Sequence, residues 1–309
     1  MNRAFIFPGQ GSQKVGMGLE FYQNFPVARI VFEEVDDALS FRLSDIIFNG
    51  SENELTQTYN TQPALMATSI AILRVIEEIN NKKIHQLCSV VAGHSLGEYT
   101  ALCAANSLNV GDCAKILRAR GLFMQEATEQ VQGAMAAIIG AEDAKLHDII
   151  KKAAEEGICE IANDNSKEQI VISGSANAIE KAILLFKENG IKAIKLNVSA
   201  PFHSSLMSGA AEKMKEVIAS SNFSAPSVPV LDNISIEITS DVSFIKQKLI
   251  EQIAGTVRWR ETMDIIISKN NSAYEIGPGK VLTSLLNRSY PDFVAKALNS
   301  IQEINLNKL

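Results

Sequence analysis

The segment Leu87-Cys88-Ser89-Val90-Val91-Ala92-Gly93-His94-Ser95-Leu96-Gly97-Glu98-Tyr99 changes character twice. Leu87 to Ala92 reads as a continuous apolar strand buried on both faces, and the residues from Leu96 to Asn106 favour a helix. Between them stands Gly93-His94-Ser95-Leu96-Gly97, which fits G-x-S-x-G. In that pattern a nucleophile sits on a strained strand-to-helix turn, and small residues two positions to either side prevent collision. Such a turn lifts the Ser95 hydroxyl to the carboxyl edge of a parallel sheet, so the fold class is α/β. A plainer reading stays open, since Ser95 followed by Glu98 also spells a capping box. A cap, however, does not require glycine at both 93 and 97.

Upstream, Arg3 to Phe7 reads as a short buried strand running into the loop Pro8-Gly9-Gln10-Gly11-Ser12-Gln13. Its glycines do not fit G-x-G-x-x-G and none precedes a Lys-Ser or Lys-Thr pair, so a nucleotide site is excluded. Pro26 to Leu39 and Gln62 to Ile79 carry apolar residues at helical spacing. Downstream the rhythm changes. Strand, helix, strand, strand, helix and strand are expected over 133–140, 142–156, 158–162, 169–173, 176–189 and 191–198, the ferredoxin-like order β-α-β-β-α-β. Residues 130–199 are therefore expected to form a small subdomain inserted in a larger α/β domain built from 1–129 and 200–309.

Composition narrows the function. The 309 residues carry 29 Lys plus Arg against 35 Asp plus Glu, and a net charge of −6 argues against a nucleic-acid binder. No window reaches the roughly 18 apolar residues of a membrane span and no signal-peptide core is present, so a cytoplasmic protein is expected. The four cysteines show neither CxxC pairing nor zinc spacing, which argues against a metal site and fits a reducing compartment.

A serine hydroxyl needs a base, and the chain offers four histidines. His85 lies in a polar stretch, His147 on a charged helix, and His94 is adjacent to Ser95 with its side chain pointing elsewhere. His203, in Ala200-Pro201-Phe202-His203-Ser204, remains. Asp112, Asp143, Asp148 and Asp164 lie between Ser95 and His203, but none is placed convincingly as a triad acid, so a dyad oriented by a neutral acceptor is the simpler reading. Arg120 shares a helix face with Cys113, Ile116, Leu117, Phe123 and Met124. A charge on an apolar stripe either snorkels, meets a carboxylate such as Glu98, or forks a substrate carboxylate. Backbone N–H groups of the strand-end loop and of Leu96 are candidates for an oxyanion hole.

Taken together, Phe7-Pro8-Gly9-Gln10-Gly11-Ser12-Gln13, Gly93-His94-Ser95-Leu96-Gly97-Glu98-Tyr99, Arg120-Gly121-Leu122-Phe123-Met124-Gln125, Ala200-Pro201-Phe202-His203-Ser204 and Glu275-Ile276-Gly277-Pro278-Gly279-Lys280-Val281-Leu282 resemble the malonyl-CoA:acyl carrier protein transacylase family of fatty-acid synthesis. The resemblance runs from about residue 3 to 298. It implies an α/β-hydrolase-like large domain with a ferredoxin-like insertion, and a ping-pong transfer of malonyl from malonyl-CoA through Ser95 to the phosphopantetheine thiol of acyl carrier protein, with no cofactor. It also implies His203 as general base, Arg120 as the malonyl carboxylate clamp, the N–H groups of Gln10 and Leu96 as the oxyanion hole, and Gln252 as the residue whose backbone carbonyl orients the histidine. Phe202 resembles the bulky residue set against an α-substituent, so malonyl is expected over methylmalonyl. Gly255-Thr256 stands before Val257-Arg258-Trp259 where the family often has a proline-containing turn.

Three other readings use the same residues. A serine hydrolase or thioesterase would pass the acyl group to water, a polyketide-type acyl transferase would take another extender, and a non-catalytic scaffold would use Ser95 only as a cap. For an acidic carrier protein, Arg258, Arg260, Lys280 and Arg288 are the candidate docking cluster.

Overall fold

The computed structural model describes residues 2–130, 132–198 and 200–309; of Glu129 and Gln130 it describes the backbone alone. The expected seam of the inserted subdomain at 199 falls on Ser199, which with Val131 lies outside the described residues. The strands in chain order are β1 (Arg3–Phe7), β2 (Val90–Gly93), β3 (Gly133–Ile139), β4 (Cys159–Ser166), β5 (Gln169–Ser175), β6 (Lys192–Lys195), β7 (Val230–Leu231), β8 (Ile238–Thr239), β9 (Ser272–Ile276) and β10 (Val294–Leu298). They form two sheets.

The larger sheet has the order β10-β9-β1-β2-β7-β8, parallel throughout except for the antiparallel edge strand β8. Alternation along its central strands explains their apolar runs. Phe5, Phe7 and Val91 face one hydrophobic cluster, whereas Ala4, Ile6, Val90 and Ala92 face a second that contains Trp259 and Met263. Both faces are covered, as parallel sheets require. β1 and β2 pair in register from Ala4↔Val90 to Phe7↔Gly93, so the loops leaving their carboxyl ends emerge side by side.

The strand expected over 87–92 is shorter and begins later. Ile84–Leu87 forms a helical turn, with the Ile84 N–H donating to buried Glu77, and Leu87 is buried from that turn. A short apolar run satisfies either element, and here tertiary packing chose both. The helix expected over 62–79 spans Thr58–Asn80 with Pro63 inside it. Proline removes a helical donor, and the carbonyl of Tyr59, four residues back, instead accepts from Arg118 Nη1 at 3.1 Å.

The smaller sheet, order β4-β5-β3-β6, is antiparallel throughout. Helices Asp143–Ala153 and Ala176–Glu188 bury Leu146, Ile149, Ile179 and Phe186 against it. β6 ends at Lys195, short of the expected 198. β4 is tied to the segment that precedes the helix Trp259–Lys269, where Asn163 bridges Val257: the Asp164 N–H donates to the Val257 carbonyl and the Val257 N–H to the Ala162 carbonyl, each at 2.9 Å. The chain is thus a mixed α/β protein with a parallel main sheet. Near its end, Glu275 accepts from Leu282 N, Thr283 N and Thr283 Oγ1, which anchors the helix after Gly277-Pro278-Gly279.

Candidate active site

Ser95 stands between β2 and the helix Leu96–Ala104 with φ 54° and ψ −110°. The turn is tight enough to dictate both flanking glycines. A Cβ at Gly93 would come within 1.9 Å of the Gly97 carbonyl oxygen, and one at Gly97 within 2.3 Å of the Phe7 carbonyl oxygen. The Ser95 side chain makes no capping hydrogen bond to the helix, so the capping-box reading does not hold. Instead Ser95 Oγ lies 2.7 Å from His203 Nε2 and accepts from Arg120 Nη2 at 3.1 Å.

His203 also has a positive φ, 57°, in a loop where Ser204 Oγ donates to the Pro201 carbonyl. Its Nδ1 faces two backbone carbonyls, Gln252 at 2.8 Å and Gly255 at 3.1 Å. Carbonyls only accept, so Nδ1 carries the proton and Nε2 presents its lone pair to the serine. Both carbonyls belong to the C-terminal end of the helix Val242–Ala254, where orphan acceptors and the negative end of the helix dipole favour a cation. Burial, and next the Arg120 charge, push the His203 pKa down to about 3, so the resting imidazole is neutral. None of the four aspartates between Ser95 and His203 hydrogen-bonds His203: Asp112 accepts from Asn109, Asp148 pairs with Lys152, and Asp143 and Asp164 pair with Arg260.

Arg120, on the helix Val110–Gln130, is 1% exposed. It does not snorkel and it does not hydrogen-bond to Glu98. Its Nη1 donates to Gln62 Oε1 at 2.9 Å and its Nη2 to Gln252 Oε1 at 3.0 Å, with the guanidinium over the Tyr99 ring. Its Nε has no partner among the described residues. The guanidinium is thus buried against neutral oxygens, a costly state that an anion would relieve. Glu98 instead accepts from Gln252 Nε2 at 2.8 Å and Asn233 N at 3.1 Å. Burial, and then the nearby Asp232 carboxylate, raise its pKa to about 8 against the opposing hydrogen bonds and the Arg120 charge.

A cavity of about 380 Å³ opens onto these groups. Gln10, Leu96, Arg120, Phe202, Met124 and Met135 are among its walls. The backbone N–H groups of Gln10 and Leu96 carry no acceptor among the described residues. His94 also lines the cavity, but its Nε2 bonds Asn165 Oδ1 at 2.8 Å and its ring packs on Trp259. His85 and His147 are exposed and elsewhere. Arg258, Arg260, Lys280 and Arg288 do not line the cavity. Arg258 is paired with Glu261 and Arg260 with Asp164, while Lys280 and Arg288 are exposed. Sequence reasoning missed Gln62, Asn165 and Asn233, and it did not anticipate the side-chain role of Gln252; a buried amide carries no periodic signal of its own.

The chain is similar to known proteins along nearly its whole length. A family model described as acyl transferase domain matches residues 4–302. The malonyl CoA-acyl carrier protein transacylase of Bacillus subtilis strain 168 is 44% identical over 98% of each chain. The crystal structure of an acyl-carrier-protein-S-malonyltransferase from Bartonella henselae superposes with a TM-score of 0.95 at 48% identity, over 99% of this chain and 98% of that one. A malonyl-transacylase solved in complex with a type II polyketide acyl-carrier protein has a TM-score of 0.94 at 38% identity, over 99% and 98%.

Proposed function

The chain belongs to the acyl transferase family, and on that premise we propose that it transfers malonyl from malonyl-CoA to the phosphopantetheine thiol of acyl carrier protein, supplying fatty-acid elongation. The observation that carries the reading is the shared contact of Ser95 Oγ with a neutral histidine and a fully buried arginine. A nucleophile and base alone would fit a hydrolase. The buried cation beside them selects an acyl group that ends in a carboxylate.

In the first half-reaction the Ser95 Oγ–H proton passes to His203 Nε2 as the Oγ–C bond forms to the thioester carbonyl. The negative oxygen of the tetrahedral intermediate is received by the N–H groups of Gln10 and Leu96, each such donor being worth roughly a hundredfold to a thousandfold in rate. The imidazolium is stabilised through Nδ1 by the Gln252 and Gly255 carbonyls in place of a triad acid. Collapse breaks the C–S bond, and His203 returns the proton to the departing thiolate of coenzyme A. The second half-reaction repeats these steps with the carrier thiol as nucleophile and Ser95 as leaving group. Arg120 holds the malonyl carboxylate throughout, and Phe202 crowds the α-carbon, favouring malonyl over methylmalonyl.

The domain reading belongs here as well. We infer an α/β-hydrolase-like large domain from residues 1–129 and 200–309, with residues 130–199 as a ferredoxin-like insertion; the β-α-β-β-α-β order and the four-stranded antiparallel sheet support it. The insertion supplies Met135 and Asn163 to the cavity, so it shapes the acyl site.

The test is to mix the protein with malonyl-CoA in the absence of acceptor and map adducts by intact-mass and peptide mass spectrometry. A malonyl group on Ser95, absent from Ser95→Ala and discharged by holo acyl carrier protein, is the expected result. Steady coenzyme A release without an adduct would identify a hydrolase instead.

A further inference from the structure

The turn that carries Ser95 adopts a conformation its own residues do not favour. At φ 54° and ψ −110° Ser95 lies outside the left-handed well that a non-glycine residue tolerates, and such a backbone persists only where its surroundings over-determine it. Part of the restraint is local. The N–H groups of His94, Gly97 and Glu98 donate to the carbonyls of Phe7, His94 and Ser95. The Ser95 N–H takes no part in that set. Its acceptor is Asn233 Oδ1, at 2.8 Å, from the loop after β7. The other end of the same amide, Nδ2, donates to the Gly93 carbonyl, also at 2.8 Å. One side chain therefore spans the turn on both sides of His94.

Asn233 is itself held rigidly. It is 0% exposed, its N–H donates to Glu98 Oε2, and its carbonyl accepts from the Arg258 N–H. Glu98 lies in the first turn of the helix that follows Ser95, so the link closes a ring: Ser95, Asn233, Glu98 and back along the helix. Gln252 Nε2 braces the ring by donating to both Glu98 Oε2 and the Ser95 carbonyl.

We propose that Asn233 is a positioning residue for the nucleophile: its amide, bridging the Ser95 N–H and the Gly93 carbonyl, sets the peptide planes of the turn, keeps Oγ on His203, and leaves the Leu96 N–H rather than the Ser95 N–H facing the cavity. The role requires one donor and one acceptor on a single planar group, which asparagine supplies. An ionised aspartate offers acceptors only and would stand beside Glu98 and Asp232. Once protonated, its carboxyl restores the donor to Gly93 while still accepting from Ser95.

The inference rests on Ser95 being the acyl acceptor, and the experiment separates the two. Parent, Asn233→Ala and Asn233→Asp proteins are followed by rapid-quench mass spectrometry with malonyl-CoA and by labelling with a fluorophosphonate, a serine-directed probe that needs no malonyl recognition. Folded fraction and unfolding temperature are measured alongside. Asn233→Ala should lose roughly a hundredfold in both acylation and labelling per folded molecule, the scale of a misplaced reacting group, with the half-saturating malonyl-CoA concentration unchanged. Asn233→Asp should recover toward the parent rate as pH is lowered, each rate being compared with the parent at the same pH. Full acylation by folded Asn233→Ala would overturn the proposal, as would a loss no larger than its loss of folded protein. If Asn233→Ala does not fold, an Asn233→Asp rate that stays parallel to the parent across pH overturns it. A parent that labels with fluorophosphonate but takes no malonyl would sink the functional reading, and the labelling rates of the variants would still judge Asn233.

Discussion

Arg120→Met removes the guanidinium while keeping most of its volume, so the perturbation is chemical more than steric. The Arg120 side chain is 1% exposed and donates to three neutral oxygens, on Gln62, Ser95 and Gln252. A malonyl carboxylate entering the cavity exchanges such partners for an ionised one. Without Arg120 that carboxylate is buried unpaired, and removing one partner of a buried ion pair costs about 3–5 kcal/mol. Malonyl loading should therefore fall by about a hundredfold to a few thousandfold. Acetyl loading has no carboxylate to lose and should change only a few-fold. Arg120→Lys, a point charge without a fork, should fall between. The assay is single-turnover formation of the Ser95 adduct from malonyl-CoA and acetyl-CoA at matched concentrations. A common factor for both donors would refute the reasoning, because it would mean that Arg120 acts on the serine it touches rather than on the acyl carboxylate.

Phe202→Ala, opening the cavity wall, should lower the malonyl to methylmalonyl loading ratio by about tenfold, the worth of a methyl-sized clash, and an unchanged ratio in competition assays would dismiss the role of Phe202. Because the His203 pKa is lowered to about 3, single-turnover acylation should stay level as pH falls from 8 past the ordinary histidine value of 6.5 and decline only below it; a half-point at 6.5 or above would contradict the buried neutral base. Glu98, raised from 4.5 to about 8, binds a proton in the folded protein that the unfolded chain has released, so its contribution to stability is whole below 4.5 and is lost as pH rises through 8. Glu98→Gln removes that dependence, and its unfolding temperature relative to the parent should climb between pH 5 and 9; a flat difference would show that Glu98 ionises normally.

The elbow was legible because its information is local: an apolar strand, a serine and two glycines within a few residues of one another. Arg120 was legible for a different reason, since a charge on an apolar helical stripe is a contradiction that needs a partner. The identity of that partner was not. Gln62 and Gln252 reach Arg120 from helices distant in sequence, and polar residues on buried helices look like any other polar residues until the helices pack. Glu98 was the nearer guess and proved to be engaged by Asn233 and Gln252. The ion pairs of Arg258 with Glu261 and of Arg260 with Asp164 were not legible either, since the sequence shows charges but not which of them meet. Strand ends were the least legible feature, as Leu87 illustrates: its burial is satisfied equally by a strand or by a helical turn.

The acceptors on His203 Nδ1 are carried by the main chain, and an alanine scan is blind to them. Truncating Gln252 would leave its carbonyl in place, so the group that takes the place of a triad acid in the proposed mechanism would never register as a sensitive position. The vulnerability is displaced to whatever decides where the helix Val242–Ala254 stops. Gly255 is one such place, since a Cβ there would come within 2.9 Å of both the Glu251 carbonyl oxygen and Ile234 Cδ1. Drift in sequence can thus erase every side chain around the base without erasing its orientation, provided that the path of the backbone survives.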